Sequence, residues 1–306
     1  MSGAENILVI KHGAFGDFIL ATGPFKAIRA RHLGAHLVLL TTAPFAEMAR
    51  QSGWFDEVWV DSRPGLLRPR ALFDLARRLR GGRFARVYDL QTSDRSSLYY
   101  HLLPRPKPEW SGIAHGASHS HANRDRDHMH TLDRQREQLE MAGLDMVPGP
   151  DVSWLSGGDR GIGLTSPFAL LVPGGSAHRP EKRWPAESFV ALARLIAGRG
   201  LTPVLLGAGA EAALTADIRA KSGAVDLAGQ TSFGDMADLA RRASFAVGND
   251  TGPMHLIAAA GCRAVVLFSH ASDPALCAPR GSGVTVLRRH PLAVLPVAEV
   301  AKAVGL

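Results

Sequence analysis

Short apolar runs, each followed by a glycine-bearing or polar turn and then by a stretch with helical spacing, set the rhythm of this chain. The first run, Ile7-Leu8-Val9-Ile10, has no polar position in alternation. It reads as a strand covered on both faces, as in a parallel sheet. Further strands are expected at 36–40, 57–60 and 86–90. Helices are expected at 18–31, where Gly23-Pro24 should disturb the turn, at 44–51, and at 69–79, where the sequence is basic. The alternation breaks at 105–130, with Pro106, Pro108 and a polar stretch at 116–127, and a helix follows at 127–143. Pro148-Gly149-Pro150 and Ser156-Gly157-Gly158 then interrupt the pattern before it restarts. The second half predicts strands at 168–172, 203–206, 246–247 and 264–268, and helices at 185–198, 211–221, 232–243, 252–260 and 297–304.

Strands that alternate with helices make βαβ units and a parallel sheet, so the fold class is α/β. The expected organisation is a first Rossmann-like domain at 1–155, a second at 156–290, and a C-terminal helical segment at 291–306 that packs back on the first domain. Two such halves facing each other put a cleft at the carboxyl ends of their strands.

Composition excludes more than it adds. The 306 residues are 46% hydrophobic and 21% charged, an ordinary balance for a folded chain of about two domains. No apolar stretch reaches the roughly 18 residues that span a bilayer. The N-terminus lacks the basic segment and long apolar core of a signal peptide. Cys262 and Cys277 are the only cysteines. Disulfides therefore hold nothing together, and a reducing, cytoplasmic location is expected.

Charge adds a candidate surface. Lys and Arg number 35 against 28 acids, a formal charge of +7. From Arg63 to Arg86 there are eight arginines and one acid, Asp74. Beside Leu66, Leu67, Leu72 and Phe73, such a run suits an anionic membrane surface, a phosphorylated substrate or nucleic acid. The plain alternative is a solvated helix face. Aromatics interleaved with the basic residues are sparse, which counts against single-stranded nucleic acid.

Three turns carry candidate chemistry. His12-Gly13-Ala14-Phe15-Gly16-Asp17 follows the first strand, but has neither the spacing of a dinucleotide fingerprint nor the lysine of a P-loop. Asp17 at the start of a helix can serve as a general base or as an N-cap. The segment from Val172 to Pro185 holds Gly174, Gly175, Ser176 and Lys182, the parts of a phosphate site, with the helix opening at Pro185. Val247-Gly248-Asn249-Asp250-Thr251-Gly252-Pro253-Met254-His255 ends a strand and opens a helix. There the N–H groups of Thr251 and Gly252 would face an anion, while Asp250 suits sugar hydroxyls and His255 is either site or core. Glu211 in a fourth turn either holds ribose hydroxyls or favours the helix dipole. His115, His119, His121, His128 and His130 match no closed zinc spacing, so a flexible loop without metal is expected. No G-x-S-x-G supports a serine nucleophile.

In this order the pieces resemble glycosyltransferase family 9, the lipopolysaccharide heptosyltransferases. The matching residues are Gly16-Asp17 with Pro24, Asp89-Leu90-Gln91 with Arg95-Ser96, Pro173-Gly174 with Ser176, and Lys182-Arg183-Trp184-Pro185. Gly229-Gln230-Thr231-Ser232 and the run from Gly248 to His255 complete the set. The chain departs from the pattern at His12-Gly13-Ala14, where many members carry Ser-Ser or Thr-Ser, and at Leu267-Phe268-Ser269. The resemblance implies a GT-B architecture of two Rossmann-like domains across a cleft. It also implies inverting transfer of heptose from ADP-heptose to a lipopolysaccharide core acceptor, with no cofactor and no required metal.

By position, Asp17 is similar to the base. Ser176, Lys182, Thr251 and Gly252 are similar to diphosphate contacts, Asp250 and His255 to donor-sugar contacts, and Glu211 to the nucleoside contact. Gly16, Arg68 and Arg70 fall on the acceptor side. The implied partners are a nucleotide sugar and an anionic glycolipid, with peripheral contact at the inner membrane and no nucleic acid. The rival readings are a transferase for another nucleotide sugar or acceptor, and a non-catalytic nucleotide-sugar-binding protein.

Overall fold

The computed structural model describes residues 4–65, 69–158, 163–164, 167–176 and 178–306. Its contacts divide the chain into two compact units, Met1–Trp154 and Leu155–Leu306. The first contains β1 (Asn6–Ile10), α1 (Phe15–Leu20), α2 (Thr22–Arg31), β2 (His36–Thr41), α3 (Ala43–Gln51) and β3 (Glu57–Val60). It continues with α4 (Pro69–Gly81), β4 (Arg86–Asp89), α5 (Asp94–Leu102), β5 (Glu109–Gly112), β6 (His119–Ser120) and α6 (Thr131–Glu140). The second unit contains β7 (Phe168–Val172), α7 (Ala186–Gly198), β8 (Thr202–Leu205), α8 (Ala212–Ser222), β9 (Val225–Asp226) and α9 (Phe233–Arg242). It ends with β10 (Phe245–Asn249), α10 (Gly252–Ala259), β11 (Ala264–Phe268), α11 (Pro274–Cys277), β12 (Val284–Arg288) and α12 (Val297–Val304).

The first sheet has the order β3-β2-β1-β4-β5-β6 and the second β12-β11-β10-β7-β8-β9. Every neighbouring pair is parallel. Counted from its own first strand, each sheet reads 3-2-1-4-5-6, the doubly wound Rossmann order. The chain leaves strands one and four toward opposite edges, so their carboxyl ends open a crevice. That switch point lies between β1 and β4 in the first unit and between β7 and β10 in the second. Helices cover the strands from both faces, which is why the strand sequences are near-continuous apolar runs.

Each unit has its own core. In the first, Leu8, Ile10, Val38, Leu40 and Val87 of the sheet pack with Leu75 and Leu79 of α4 and with Tyr99. In the second, Leu171, Val247, Val265 and Leu267 pack with Phe189, Leu192 and Ile196 of α7. Burying each such side chain contributes on the order of 1.5–3 kcal/mol.

Several expectations are corrected. The single helix at 18–31 is two helices parted at Ala21. Gly23 and Pro24 sit in the first turn of α2, where a missing N–H costs nothing. A Cβ on Gly23 would lie 2.1 Å from the Pro148 carbonyl oxygen, so glycine allows that backbone approach. The stretch at 105–130 holds two strands, β5, which has no apolar run, and at the sheet edge β6, which is too short for periodicity to register.

The helix expected from 127 begins at Thr131, where the His130 side chain accepts the Leu132 N–H at 3.1 Å. The histidine-bearing insert is packed rather than loose. His121 is buried, 3.1 Å from Glu137 through Nε2, and its Nδ1 accepts from Arg126 Nε at 3.2 Å. Val300, Ala301 and Val304 of α12 join the second unit's own core beside α7.

Candidate active site

In the second unit the chemistry gathers at the switch point. Gly248 near the end of β10 admits no side chain, because a Cβ would lie 2.6 Å from Met254 Sδ and 2.7 Å from Val172 Cβ. Next to it, Asn249 is fully buried and ties three segments together. Its Nδ2 donates to the carbonyls of Pro173 (2.8 Å) and Gly174 (3.1 Å), and its Oδ1 accepts the Trp184 N–H at 3.0 Å. The loop carrying Ser176 and the segment carrying Lys182 are thus hung from one amide.

Lys182 Nζ lies 2.6 Å from Asp250 Oδ2, and the Ser272 hydroxyl donates to the same oxygen at 2.6 Å. An ammonium has three donors, so Lys182 can hold Asp250 and still meet a phosphate oxygen. Thr251 precedes α10 without turning its side chain back to cap it. The Gly252 N–H is one of the donors that a helix N-terminus leaves open, at its positive end. Pro253 has no N–H to add. His255 is buried one turn further along α10.

Glu211 proves to be a clamp between two turns. Its Oε1 accepts the Gly175 N–H and its Oε2 the Ala208 N–H, both at 2.8 Å. A Cβ on Gly174 would stand 1.9 Å from Glu211 Oε1, so a side chain there would displace this carboxylate from its two N–H donors. Each carboxylate oxygen retains a lone pair toward solvent, so a hydroxyl can still be accepted.

In the first unit the turn after β1 is pinned from both sides. Lys11 N–H donates to Leu40 O at 3.0 Å and Lys11 Nζ to Leu90 O at 3.2 Å. The His12 N–H donates to Gln91 Oε1 at 2.9 Å, and the Thr42 hydroxyl to the His12 carbonyl at 2.8 Å. Gly13 has φ +125°, and a Cβ there would meet Phe45 at 2.6 Å. Asp17 is the third residue of α1, whose N-cap position is Ala14, so Asp17 is not the cap. Its carboxylate receives no hydrogen bond among the described residues, which leaves it available as a base. It lines a small polar cavity with Lys11, Thr92, Arg134 and Gln135.

Two further carboxylates anchor the surrounding turns. Asp89 is fully buried and accepts the N–H groups of Gln91 (3.1 Å) and Thr92 (3.0 Å). Burial pushes its pKa up to about 6, against the pull of the Thr92 N–H, the Ser96 hydroxyl and the Gln91 N–H. Those bonds hold Thr92 at φ +46°, a strained conformation for a β-branched residue. Asp61 lies 3.1 Å from His12 Nε2 and accepts from the Tyr99 hydroxyl at 2.5 Å. Burial opposes its ionisation. The His12 imidazole beside it and the hydrogen bonds from the Tyr99 hydroxyl and the Arg63 N–H together nevertheless hold its carboxyl below the usual range. Burial also lowers the Lys11 pKa, while Asp17 raises it.

The family model of glycosyltransferase family 9 (heptosyltransferase) matches residues 72–296, which is most of the chain. The chain belongs to glycosyltransferase family 9. A lipooligosaccharide heptosyltransferase 2 of Haemophilus influenzae is 28% identical to the family 9 chain over 120 residues. That match covers 37% of this chain and 34% of the relative, so the chain spans about a third of the length of the curated relative it matches.

Solved structures are similar over nearly the whole length. A family 9 glycosyl transferase from Veillonella parvula superposes with a TM-score of 0.84 at 22% identity, covering 99% of this chain and 97% of the other. The E. coli ADP-heptose lipopolysaccharide heptosyltransferase II gives 0.79 at 20% identity, with 97% of each chain covered. At such identities the likeness shows the fold, the GT-B pair of Rossmann-like sheets.

Against this family frame, the structure joins Lys182 to Asp250, with Thr251 and Gly252 next in the chain, and places exposed Ser176 on the loop that Asn249 holds. Gly16 is buried in α1, Arg70 is exposed at the start of α4, and Arg68 lies outside the described residues. The residues that motif reading overlooked are Ser272, Lys11 and Arg134. Ser272 reaches Asp250 from 22 positions away, and nothing in the spacing of Lys11 and Arg134 joins them.

Proposed function

We propose that this family 9 chain moves a heptose or related sugar from an ADP-sugar to a lipopolysaccharide core acceptor, inverting the anomeric centre. One observation carries the reading. In both units the turns after strands one and four carry family-matched residues, Asp17 and Asp89 to Gln91 in the first and Ser176 and Asp250 to Gly252 in the second, at the place where an α/β sheet binds ligands. Asp17 takes the proton of an acceptor hydroxyl. The freed oxygen electron pair forms the new bond to the anomeric carbon, and the bond from that carbon to the diphosphate breaks. The nucleoside diphosphate leaves with the electrons. Its charge is met by Lys182, the Ser176 hydroxyl and the N–H groups of Thr251 and Gly252. Asp250 and His255 take sugar hydroxyls, and Glu211 keeps the nucleoside-side turns in place. The scheme gives no step to a metal.

The partner on the acceptor side is an anionic glycolipid, met at the cytoplasmic face of a membrane. Among the described residues no helix is long and apolar enough to cross a bilayer. The arginine run divides into different uses. Arg78 lies over the Trp59 ring at 4.3 Å and Arg86 pairs with Glu109, so both are structural. Arg70, Phe73, Arg77 and Arg80, at spacings of three and four, fall on the side of α4 opposite buried Leu75 and Leu79. Phe73 is 65% exposed there. A basic stripe with one exposed aromatic suits the interface of an acidic bilayer.

The test is Asp17→Asn in the full chain, with ADP-heptose as donor and a lipopolysaccharide core acceptor. Transfer should fall by about 10²–10⁴-fold while ADP binding stays within twofold. Undiminished turnover would remove Asp17 from the mechanism.

A further inference from the structure

One residue at the start of the turn that leads to Asp17 ties together the carboxyl ends of four strands. His12 follows β1 by two positions and is 4% exposed. Its N–H donates to Gln91 Oε1 beyond β4, and its carbonyl accepts from the Thr42 hydroxyl beyond β2. Its imidazole reaches Asp61, one residue past β3, with Nε2 3.1 Å from Oδ2. The ring also stands edge-on to Tyr99 of α5, with 5.9 Å between centroids.

The acid at the far end of this tie is itself fixed. The Asp61 N–H donates to Thr41 O at 2.7 Å, its Oδ1 accepts the Arg63 N–H at 2.7 Å, and its Oδ2 accepts the Tyr99 hydroxyl. A ring nitrogen that faces a carboxylate carries the proton, so His12 Nε2 is protonated. The contact is one of charge and distance, without the alignment of a hydrogen bond. Only Gly13 and Ala14 separate His12 from α1. Phe15 and Phe18 of α1 stack on Phe45 of α3, at 6.2 and 5.0 Å between centroids. The helix that carries Asp17 is thus seated on α3 and fixed at its entry by His12. Apolar side chains can fill such buried space at little cost in stability, so what the polar tie adds is a fixed geometry. This is also the turn in which the chain departs from the family's Ser-Ser or Thr-Ser. A serine or threonine hydroxyl in place of the imidazole would end too near the backbone to reach Asp61.

We infer that His12 is a positioning residue for the transfer: through its hold on Asp61 it sets where α1 begins, and so where the Asp17 carboxylate stands toward the acceptor hydroxyl. The inference rests on Asp17 acting as the base and names the residue that aims it. A base works only within hydrogen-bond reach of the proton it takes, and a displacement of about 1 Å costs roughly 10²-fold in rate. The role requires no contact between His12 and a substrate. The diphosphate contacts belong to the second unit, so a misplaced Asp17 lowers turnover and leaves donor binding alone.

The experiment compares His12→Asn with His12→Gln in the full chain, each alone and combined with Asp17→Asn, by steady-state kinetics with ADP-heptose and a lipopolysaccharide core acceptor. Both replacements are amides. The glutamine amide nitrogen extends about as far as Nε2, whereas that of asparagine stops near the place of Nδ1. His12→Asn should lower kcat by about 10- to 100-fold, with the donor KM and the affinity for ADP within about twofold of wild type. His12→Gln should keep kcat within about threefold of wild type. In the Asp17→Asn background His12→Asn should cost nothing further, because the group it aims is gone. A role in folding alone would lower Tm and the active fraction in both amide variants, and its loss would multiply with that of Asp17→Asn. Equal turnover of the two amide variants, or an equal loss from His12→Asn in both backgrounds, overturns the inference and leaves Asp17 as the base. Undiminished turnover of Asp17→Asn alone overturns the base reading and this inference together.

Discussion

The two units share one strand order and one place for their ligand turns, yet they fill that place with different chemistry. The second unit builds its turns from glycines and main chain. Gly174 and Gly248 clear space, Asn249 and Glu211 fix the loops, and the ion pair of Lys182 with Asp250 supplies charge. The first unit works with buried titratable side chains. Lys11, His12, Asp61 and Asp89 are all almost fully covered, and Thr92 is held in a strained turn. The difference follows from what each would bind. A diphosphate is the same in every donor and is well met by N–H groups at a helix end. An acceptor sugar varies, and discrimination among sugars needs side chains with fixed geometry.

Substituting Lys182 sharpens this division most. Lys182→Ala removes the ammonium that pairs with Asp250 and that the proposed scheme sets against the diphosphate. A charged hydrogen bond contributes about 1.5–3 kcal/mol, so ADP affinity should fall by roughly 10- to 100-fold in calorimetric titration. Asp17→Asn in the first unit should leave that affinity within twofold. If the two substitutions weaken ADP binding alike, the two units do not divide the labour this way.

Asp89→Asn is the next largest. The native carboxyl has a pKa raised from 3.8 to about 6 by burial. The folded state therefore binds the proton more tightly than the unfolded chain, and the native protein loses stability as pH rises from about 4 through 6. The loss is at most about 3 kcal/mol for a shift of roughly two units. Asparagine still accepts the Gln91 and Thr92 N–H groups. The variant should show a flatter dependence of Tm on pH in that window and unchanged ADP binding. A pH profile identical to wild type would mean that Asp89 is ionised at no cost. Smallest is Phe73→Ser, which should weaken co-sedimentation with phosphatidylglycerol vesicles by several-fold and leave stability within about 0.5 kcal/mol. Equal binding to neutral and acidic vesicles would count against the α4 face.

How far this was legible in the sequence depended on the range of the interaction. The runs at 168–172 and 264–268 and the helix at 297–304 are written in local periodicity, and the structure has the same bounds. The turns after β1, β7 and β10 are legible because glycine crowds there, whereas the turn after β4, Leu90-Gln91-Thr92-Ser93, has none. What local pattern does not carry is pairing across distance. β5, Glu-Trp-Ser-Gly, has no apolar run, and β6 and β9 are two residues each, too short to show a period. The docking of α12 on α7 depends on matching surfaces far apart in the chain. Lys11 and Arg134 meet at one cavity although more than a hundred residues part them, and Arg126 reads as one more charge in a polar insert. Glu211 was visible as an acid at a helix start, but its hold on Gly175 was not.

The account turns on the second unit gripping a nucleoside diphosphate sugar. Calorimetric titration of the full chain with ADP-heptose, and with UDP and GDP sugars as controls, tests this most directly. The account predicts one site per chain, ADP-heptose bound at least tenfold more tightly than the UDP and GDP sugars, and that affinity lost with Lys182→Ala. Failure of every nucleoside diphosphate sugar to bind, or binding that Lys182→Ala leaves unchanged, would contradict it.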